Sequence, residues 1–286
     1  MGLRTWGWIW KAARRRRMRG GEQTRTQGDV SGGEGGPFPR GTAAETGREG
    51  ALDILVIAAH PDDAEISVGG TILRLVDARR RVGVLDLTRG EMGTRGSPAE
   101  REAETRRASQ LMGLASRHNL DLPDGRLQPT LEARESLARI LREHRPDTVI
   151  AHHVDDLHPD HAAAGRLALE AWYLSGLVRL AELDGGPPAR RPRRFLRFMS
   201  HVAFEPTLVV DIGPVWERKI ELVRCYASQL APANPADRGE HFLFGADILG
   251  RMETKARTWG ERIGVRHGEP LLSLGPLACA DPASWL

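Results

Sequence analysis

The chain has 286 residues, 40% of them hydrophobic and 28% charged, enough for one large α/β domain or two small ones with a substantial core. No apolar run approaches the roughly 20 residues that a spanning helix needs, which argues against a membrane-embedded protein. The formal charge of +3 is unevenly spread: residues 1–50 hold ten Lys and Arg against five Asp and Glu, leaving −2 for residues 51–286, so nucleic acid is not the obvious partner of that body.

The chain opens with "RTWGWIWKAARRRRMRGG" and the glycine-rich "SGGEGGPFPRGT", which lack the apolar periodicity of a packed element and predict a disordered basic extension over residues 1–50. "WGWIW" is short for the apolar part of a secretion signal, and the arginine run follows it where a signal would place it first. One domain is expected over residues 51–286, in the cytoplasm. Cys225 and Cys279 lie far apart, match no metal or redox spacing, and fit a reducing compartment.

From residue 53, apolar runs alternate with amphipathic stretches. "DILVIAA" (53–59), "VGVLDLT" (82–88) and "DTVIAHH" (147–153) read as strands covered on both faces. "SVGGTILRLVDARRR", "SPAEREAETRRASQLMG" and "TLEARESLARILREHR" carry helical spacing, with Pro98 and Thr130 as start residues. After "DDLHPDHAAAGRLALEAWYL" come a loop over 185–194, two strands in "FLRFMSHV" and "TLVVDI", and closing helices in "PVWERKIELVRCYASQ" and "FLFGADILGRMETKARTWGERIG". Strands alternating with helices predict a Rossmann-like, doubly wound α/β fold with a mostly parallel sheet flanked by helices.

Ligands of such sheets bind beyond the carboxyl ends of the strands. Two clusters sit there, "AAHPDDAEISVGGT" (58–71) after the first strand and "HHVDDLHPDH" (152–161) after the strand 147–153. Alone, HPDD is compatible with a turn whose aspartates cap a helix, and HPDH with an ordinary helix cap. Both clusters after parallel strands point to one shared site. His60, Asp63 and His161 make a His₂Asp set suited to Zn²⁺, one per subunit, and Fe²⁺ or Co²⁺ also suits it. That leaves Asp62 beside the metal as the base that takes a proton from water. His158, expected to be held protonated by Asp160, would stabilise an oxyanion or protonate a departing amine. His152 and His153 read as supporting or core residues, Glu65 as a support or a cap, and Gly69 and Gly70 as permitting close approach of a ligand or close helix packing.

Over about residues 52–270 the chain resembles the LmbE-like, or PIG-L, family of zinc-dependent N-acetylglucosamine deacetylases, in "AHPDDAEISVGGT" and "HPDH". The branch it is most similar to is the bacillithiol-pathway deacetylases acting on N-acetylglucosaminyl-malate, through "VLDLTRGEMGTRGSPAEREAE", "NLDLPDGRL", "RCYASQL" and "GERIGVRHGEP". The resemblance implies the same metal ligands, base and histidine as the residues themselves suggest, together with a small GlcNAc conjugate as substrate and a homo-oligomer. It adds Arg101 as a substrate contact and Tyr226 as a group near the reacting carbonyl. Residues 231–245 and His267, where that branch tends to carry tyrosine, depart from it on the side expected to shape the aglycone pocket.

Two alternatives remain at this level. One keeps the chemistry and changes the acetamido sugar to a GlcNAc-inositol or a chitooligosaccharide. The other is a nucleotide- or RNA-binding Rossmann-like protein, which the lack of GxGxxG and the acidic first loop disfavour.

Overall fold

The computed structural model describes residues 50–93, 95–230 and 247–278. The N-terminal extension, residues 231–245 and Cys279 therefore lie outside the described residues.

The first strand, β1 (Ile54–Ala58), is buried along its whole length because its alternating side chains enter two different cores. Ile54, Val56 and Ala58 pack with Ile72, Leu73, Val84 and Leu222 on one face of the sheet. Leu55 and Ile57 pack with Leu137, Leu141, Ala151 and Leu167 on the other. A strand with water on neither side cannot alternate polar and apolar residues, so its sequence reads as a continuous apolar run.

In chain order the structure continues with α1 (Asp63–Asp77), β2 (Val82–Asp86), α2 (Pro98–Met112), β3 (Ser116–Asn119), α3 (Leu131–His144), β4 (Thr148–His152), α4 (Pro159–Ser175) and α5 (Val178–Asp184). It ends with β5 (Arg194–Phe198), β6 (Leu208–Asp211), α6 (Trp216–Arg224), α7 (Ala227–Leu230), α8 (Ile248–Glu261) and β7 (Gly268–Ser273). The strands form one seven-stranded sheet in the order β3-β2-β1-β4-β5-β7-β6. The pairings from β3 through β5 are parallel, and β7 runs antiparallel to both β5 and β6. The doubly wound, mostly parallel α/β fold expected from the sequence is the one found.

Start signals work as the sequence suggests. Thr130 accepts from the Ala133 amide ahead of α3, and Ser97 with Glu100 closes a capping box at α2 with Pro98 in the first turn. Helix α1 differs, beginning at Asp63 inside the acidic motif rather than after it. Asp63 and Glu65 lie in its first turn, where the positive end of the helix dipole favours carboxylates. Gly70 is a packing glycine, since a Cβ there would stand 2.7 Å from Ile212 and 2.9 Å from the Glu269 carboxylate. Among the described residues no helix is long and apolar enough to cross a membrane.

The chain reverses its direction of winding between β1 and β4, which are neighbours in the sheet. Both acidic clusters leave the carboxyl ends of these two strands, so the crevice of a doubly wound sheet opens between them. Gly165 draws α4 onto that edge, because a Cβ there would come within 2.8 Å of the His152 carbonyl and 2.9 Å of that of His153. Replacing Gly165 by Ala must push α4, which carries His161, off β4. We expect a stability loss of about 1–3 kcal/mol in urea unfolding; an unchanged midpoint would show that α4 has room to move.

Candidate metal centre

The turn between β1 and α1 is built around a left-handed residue. Asp62 has φ 113°, a region that side chains other than glycine rarely occupy and that costs on the order of 1–3 kcal/mol. The turn closes through the His60 amide, which donates to Asp63 Oδ2 at 2.9 Å. Asp62 and Asp63 are thereby thrown to different sides, with Asp63 toward the histidines and Asp62 toward Arg101.

Asp63 is the centre of the cluster. Its Oδ2 lies 3.1 Å from His60 Nδ1, and its Oδ1 lies 3.2 Å from His161 Nε2. One donor atom from each of His60, Asp63 and His161 falls within 4.8 Å of the others, the span of ligands around a single ion. Two imidazoles and a carboxylate suit a borderline divalent cation, and a three-ligand set leaves a coordination position open. The donor set therefore fits the metal inferred from the sequence. Two other groups, His60 with His158 and Asp160, and Asp156 with His161 and His201, have the same spacing. Asp160 and Asp156 each accept two main-chain N–H bonds, against one for Asp63, so we read them as supports.

Those supports are specific. Asp156 Oδ1 stands 3.3 Å from His161 Nδ1 and 2.6 Å from His201 Nδ1, and it accepts the His158 amide at 2.9 Å. His60 Nε2 is met by Asp124 at 3.0 Å and Asp160 at 3.3 Å. Carboxylates thus fix the second ring nitrogen of His60, while His161 Nδ1 faces the Asp156 charge at 3.3 Å without a formed hydrogen bond. Asp124 and Asp156 were not singled out in the sequence. Asp124 falls in "LPDGRL" and Asp156 in "VDDLHPDH", and proximity to the motif was the only signal.

Burial and charge set the titration of the site. Burial pulls the His60 imidazole down, but hydrogen bonds to Asp124, Asp160 and Asp63 outweigh it and hold it well above the usual histidine value. His161 is lowered by burial and raised more by Asp63 and Asp156, reaching about 9. His152, with Nε2 accepting the Ala59 amide at 3.0 Å, is depressed to about 4 by burial and the neighbouring His161, so it is a neutral buried support, as its sequence position suggested. Burial, only partly opposed by Arg101, raises Asp62 to about 7. Arg101 Nη1 donates to the Pro61 carbonyl at 2.7 Å and to Asp62 Oδ2 at 3.3 Å.

Two expectations are corrected. The Asp160 carboxylate does not pair with the His158 ring. It accepts the Gly125 amide at 2.6 Å and the Leu127 amide at 3.1 Å, and only its own main-chain N–H reaches His158 Nδ1, at 3.2 Å, as a helix cap. Burial and the charges of His161 and His60 then lower the His158 pKa, so this ring is neutral rather than held protonated. Tyr226 does not face the site. It is 1% exposed, and its hydroxyl donates to Glu65 Oε1 at 2.8 Å, beside Arg117, which donates to the same oxygen at 2.6 Å. Glu65 is accordingly a buried tie between α1, β3 and the turn after α6 rather than a cap.

Asp62, Asp63, His60, His158, His161, Arg101, Arg95, Asp124, His201 and Gln229 line one cleft of about 340 Å³. Two predictions follow from its geometry. Asp156→Asn removes the charge that holds His161 and should weaken metal binding about 10–100-fold in a chelator competition; unchanged affinity would exclude Asp156 as an orienting group. Because the metal-free site carries protons on His60 and His161 at pH 7, a cation must displace them, and its apparent affinity rises with pH until it levels off above about pH 9. Calorimetric titration in buffers of different ionisation enthalpy should show proton release at pH 7, and uptake without release would contradict the assigned ligands.

Comparison with known proteins identifies the family of the chain. The PIG-L family, described as GlcNAc-PI de-N-acetylase, matches residues 55–172, from β1 to α4. Diacetylchitobiose deacetylase of Thermococcus kodakarensis is 31% identical over 228 residues, covering 76% of this chain and 80% of that protein. A probable N-acetyl-α-D-glucosaminyl L-malate deacetylase 2 of Bacillus anthracis is 30% identical, covering 62% of this chain and 81% of its own length. Among solved structures, the N,N'-diacetylchitobiose deacetylase of Pyrococcus horikoshii superposes with a TM-score of 0.67 at 32% identity, covering 78% of this chain and 84% of that one. With both acidic clusters inside the matched region, the chain belongs to the PIG-L family.

Proposed function

We propose that the protein is a metal-dependent hydrolase that removes the N-acetyl group from a GlcNAc conjugate, releasing acetate and a free glucosaminyl amine. The observation that carries this reading is the place of Asp62, a carboxylate outside the donor set but lining the same cleft and hydrogen-bonded by Arg101, where it can take a proton from water. The cation is best assigned as Zn²⁺, held by His60, Asp63 and His161, and when bound it supplies Lewis-acid polarisation of the amide carbonyl.

Every other step belongs to the chain's own groups. Asp62, oriented by Arg101, accepts a proton from the water that attacks the amide carbon. Positive charge from a cation draws Asp62 lower than 7, which keeps it ionised and ready as a base at neutral pH. The Asp160 amide fixes His158 Nδ1 as an acceptor, so the neutral ring carries its proton on Nε2 and can donate toward the oxyanion that forms on the carbonyl oxygen. Asp62 then returns its proton to the departing nitrogen, and the C–N bond breaks. Arg101 contacts the sugar from the same wall of the cleft.

For the aglycone, the reading is malate, as in bacillithiol biosynthesis. It is supported by the likeness to the malate-conjugate deacetylase and by the two guanidinium groups, Arg95 and Arg101, in the cleft wall. Diacetylchitobiose is the second reading, favoured by the greater share of this chain that the chitobiose deacetylase covers. Two cysteines without redox or metal spacing fit a cytoplasmic enzyme.

Asp62→Asn should reduce turnover by several orders of magnitude while retaining one equivalent of metal; a variant as active as the parent would remove Asp62 from the base role. In a panel of GlcNAc-malate, GlcNAc-inositol and diacetylchitobiose, with released primary amine as readout, the largest kcat/KM is expected for the malate conjugate, and a chelator should abolish release. Preference for diacetylchitobiose would replace the aglycone and keep the chemistry.

A further inference from the structure

A second cavity of about 380 Å³ adjoins the cleft, on the other side of the donor set. The two share Asp63, Ile66, His161, His201 and Ile248, so the candidate metal ligands Asp63 and His161 stand in the wall between them. Both chambers carry apolar surface, and they differ in the groups set among it. The cleft is walled by Asp62, Asp124, Arg95, Arg101, His158 and Gln229, groups that hydrogen-bond a polyhydroxylated ring. The second cavity is walled largely by Met199, Ile248, Met252, Ala256, Trp259 and Pro270, from β7, α8 and the segment after β5. Of its cations, Lys219 is neutralised by Glu269 at 2.6 Å, the Lys255 ammonium donates to the Ser200 carbonyl, and Arg251 lies on the solvent-exposed side of α8.

A secondary amide is trans, so its two substituents leave the C–N bond in opposite directions. If the carbonyl lies at the donor set and the sugar occupies the polar cleft, the acyl group points into the apolar chamber. An acetyl methyl fills little of 380 Å³, a volume in the range of whole small-molecule sites. We propose that this chamber is an acyl-binding site and that the enzyme hydrolyses N-acyl glucosaminides whose acyl group is longer than acetyl and apolar, such as a medium-chain or arylacetyl group. This inference rests on the amidohydrolase reading of the same centre. The reaction is ordinary amide hydrolysis: water adds to the acyl carbon, the C–N bond breaks, and a carboxylate and a protonated amine are released.

The test uses the metal-loaded full chain and a series of methyl glucosaminides bearing N-acetyl, N-butyryl, N-hexanoyl and N-phenylacetyl groups, with kcat/KM taken from released amine. Burial of each added methylene should raise kcat/KM about fourfold up to hexanoyl. Lengthening the glycoside from methyl to octyl at constant N-acetyl should give no comparable rise. Ala256→Phe, which fills the chamber, should flatten the acyl series, as should Trp259→Ala, which strips one wall; the ratio of hexanoyl to acetyl is the readout. The wild-type series decides the matter if either variant fails to fold. Hydrolysis of the acetyl compound with a flat or falling acyl series overturns the acyl site alone, and so does a gain that follows glycoside length instead. Failure to hydrolyse any member overturns the amidohydrolase reading with it.

Discussion

The structure depends on a carboxylate held among imidazoles. Asp63 sits almost out of water, where an isolated charge would be driven to protonate. Burial pushes its pKa up, yet the charge on His161 and hydrogen bonds from His161 and His60 outweigh this and keep it ionised. Around this core lie four more carboxylates, Asp62, Asp156 and Asp160 from the same two loops and Asp124 from the segment between β3 and α3. Concentrating so many acids at one sheet edge raises the energy of the empty site, and a divalent cation relieves it.

The sheet makes this arrangement affordable. At the switch between β1 and β4, two loops meet without either strand bending, and each loop passes directly into a helix whose N-terminal end faces the acids. Asp63 and Glu65 open α1, while Asp160 opens α4. The helix dipoles thus lower the cost of charges that the chemistry requires. One cost remains visible in the backbone, at Asp62. A left-handed aspartate is the kind of local strain that a rigid surrounding structure must sustain, and here it turns Asp62, the proposed base, away from Asp63, the proposed ligand next to it in sequence.

Strands β1, β2 and β4 were legible because both faces are buried, and a continuous apolar run has no other economical use. The candidate ligands were legible because His and Asp are expensive at such strand ends. The parts that were missed are those whose signal is not apolar. Strand β3, "SRHN", is a partly exposed edge whose Arg117 turns inward to Glu65 and Asp86, and nothing in its composition marks a strand. Strand β7, "GEPLLS", carries Gly and Pro, and its Glu269 is spent on Lys219, Thr71 and the Gly70 amide. Helix α5 is seven residues long and mostly exposed, too short to show a face. The orientation of Tyr226 and the partners of Asp160 failed for a different reason. Sequence proximity and family likeness indicate which residues are near a site, but a side chain's hydrogen-bond partner is decided by atoms from strands and loops far away in the chain.

The most direct test of the account is X-ray absorption on the zinc-loaded protein, compared with the same measurement on His161→Ala. Two imidazole scatterers and oxygen at about 2.0–2.2 Å in the parent, with one imidazole lost in the variant, are the result expected if His60, Asp63 and His161 hold the ion. A ligand shell unchanged by loss of His161, or one containing sulfur, would place the metal elsewhere and contradict the convergence of the two loops on a single catalytic centre.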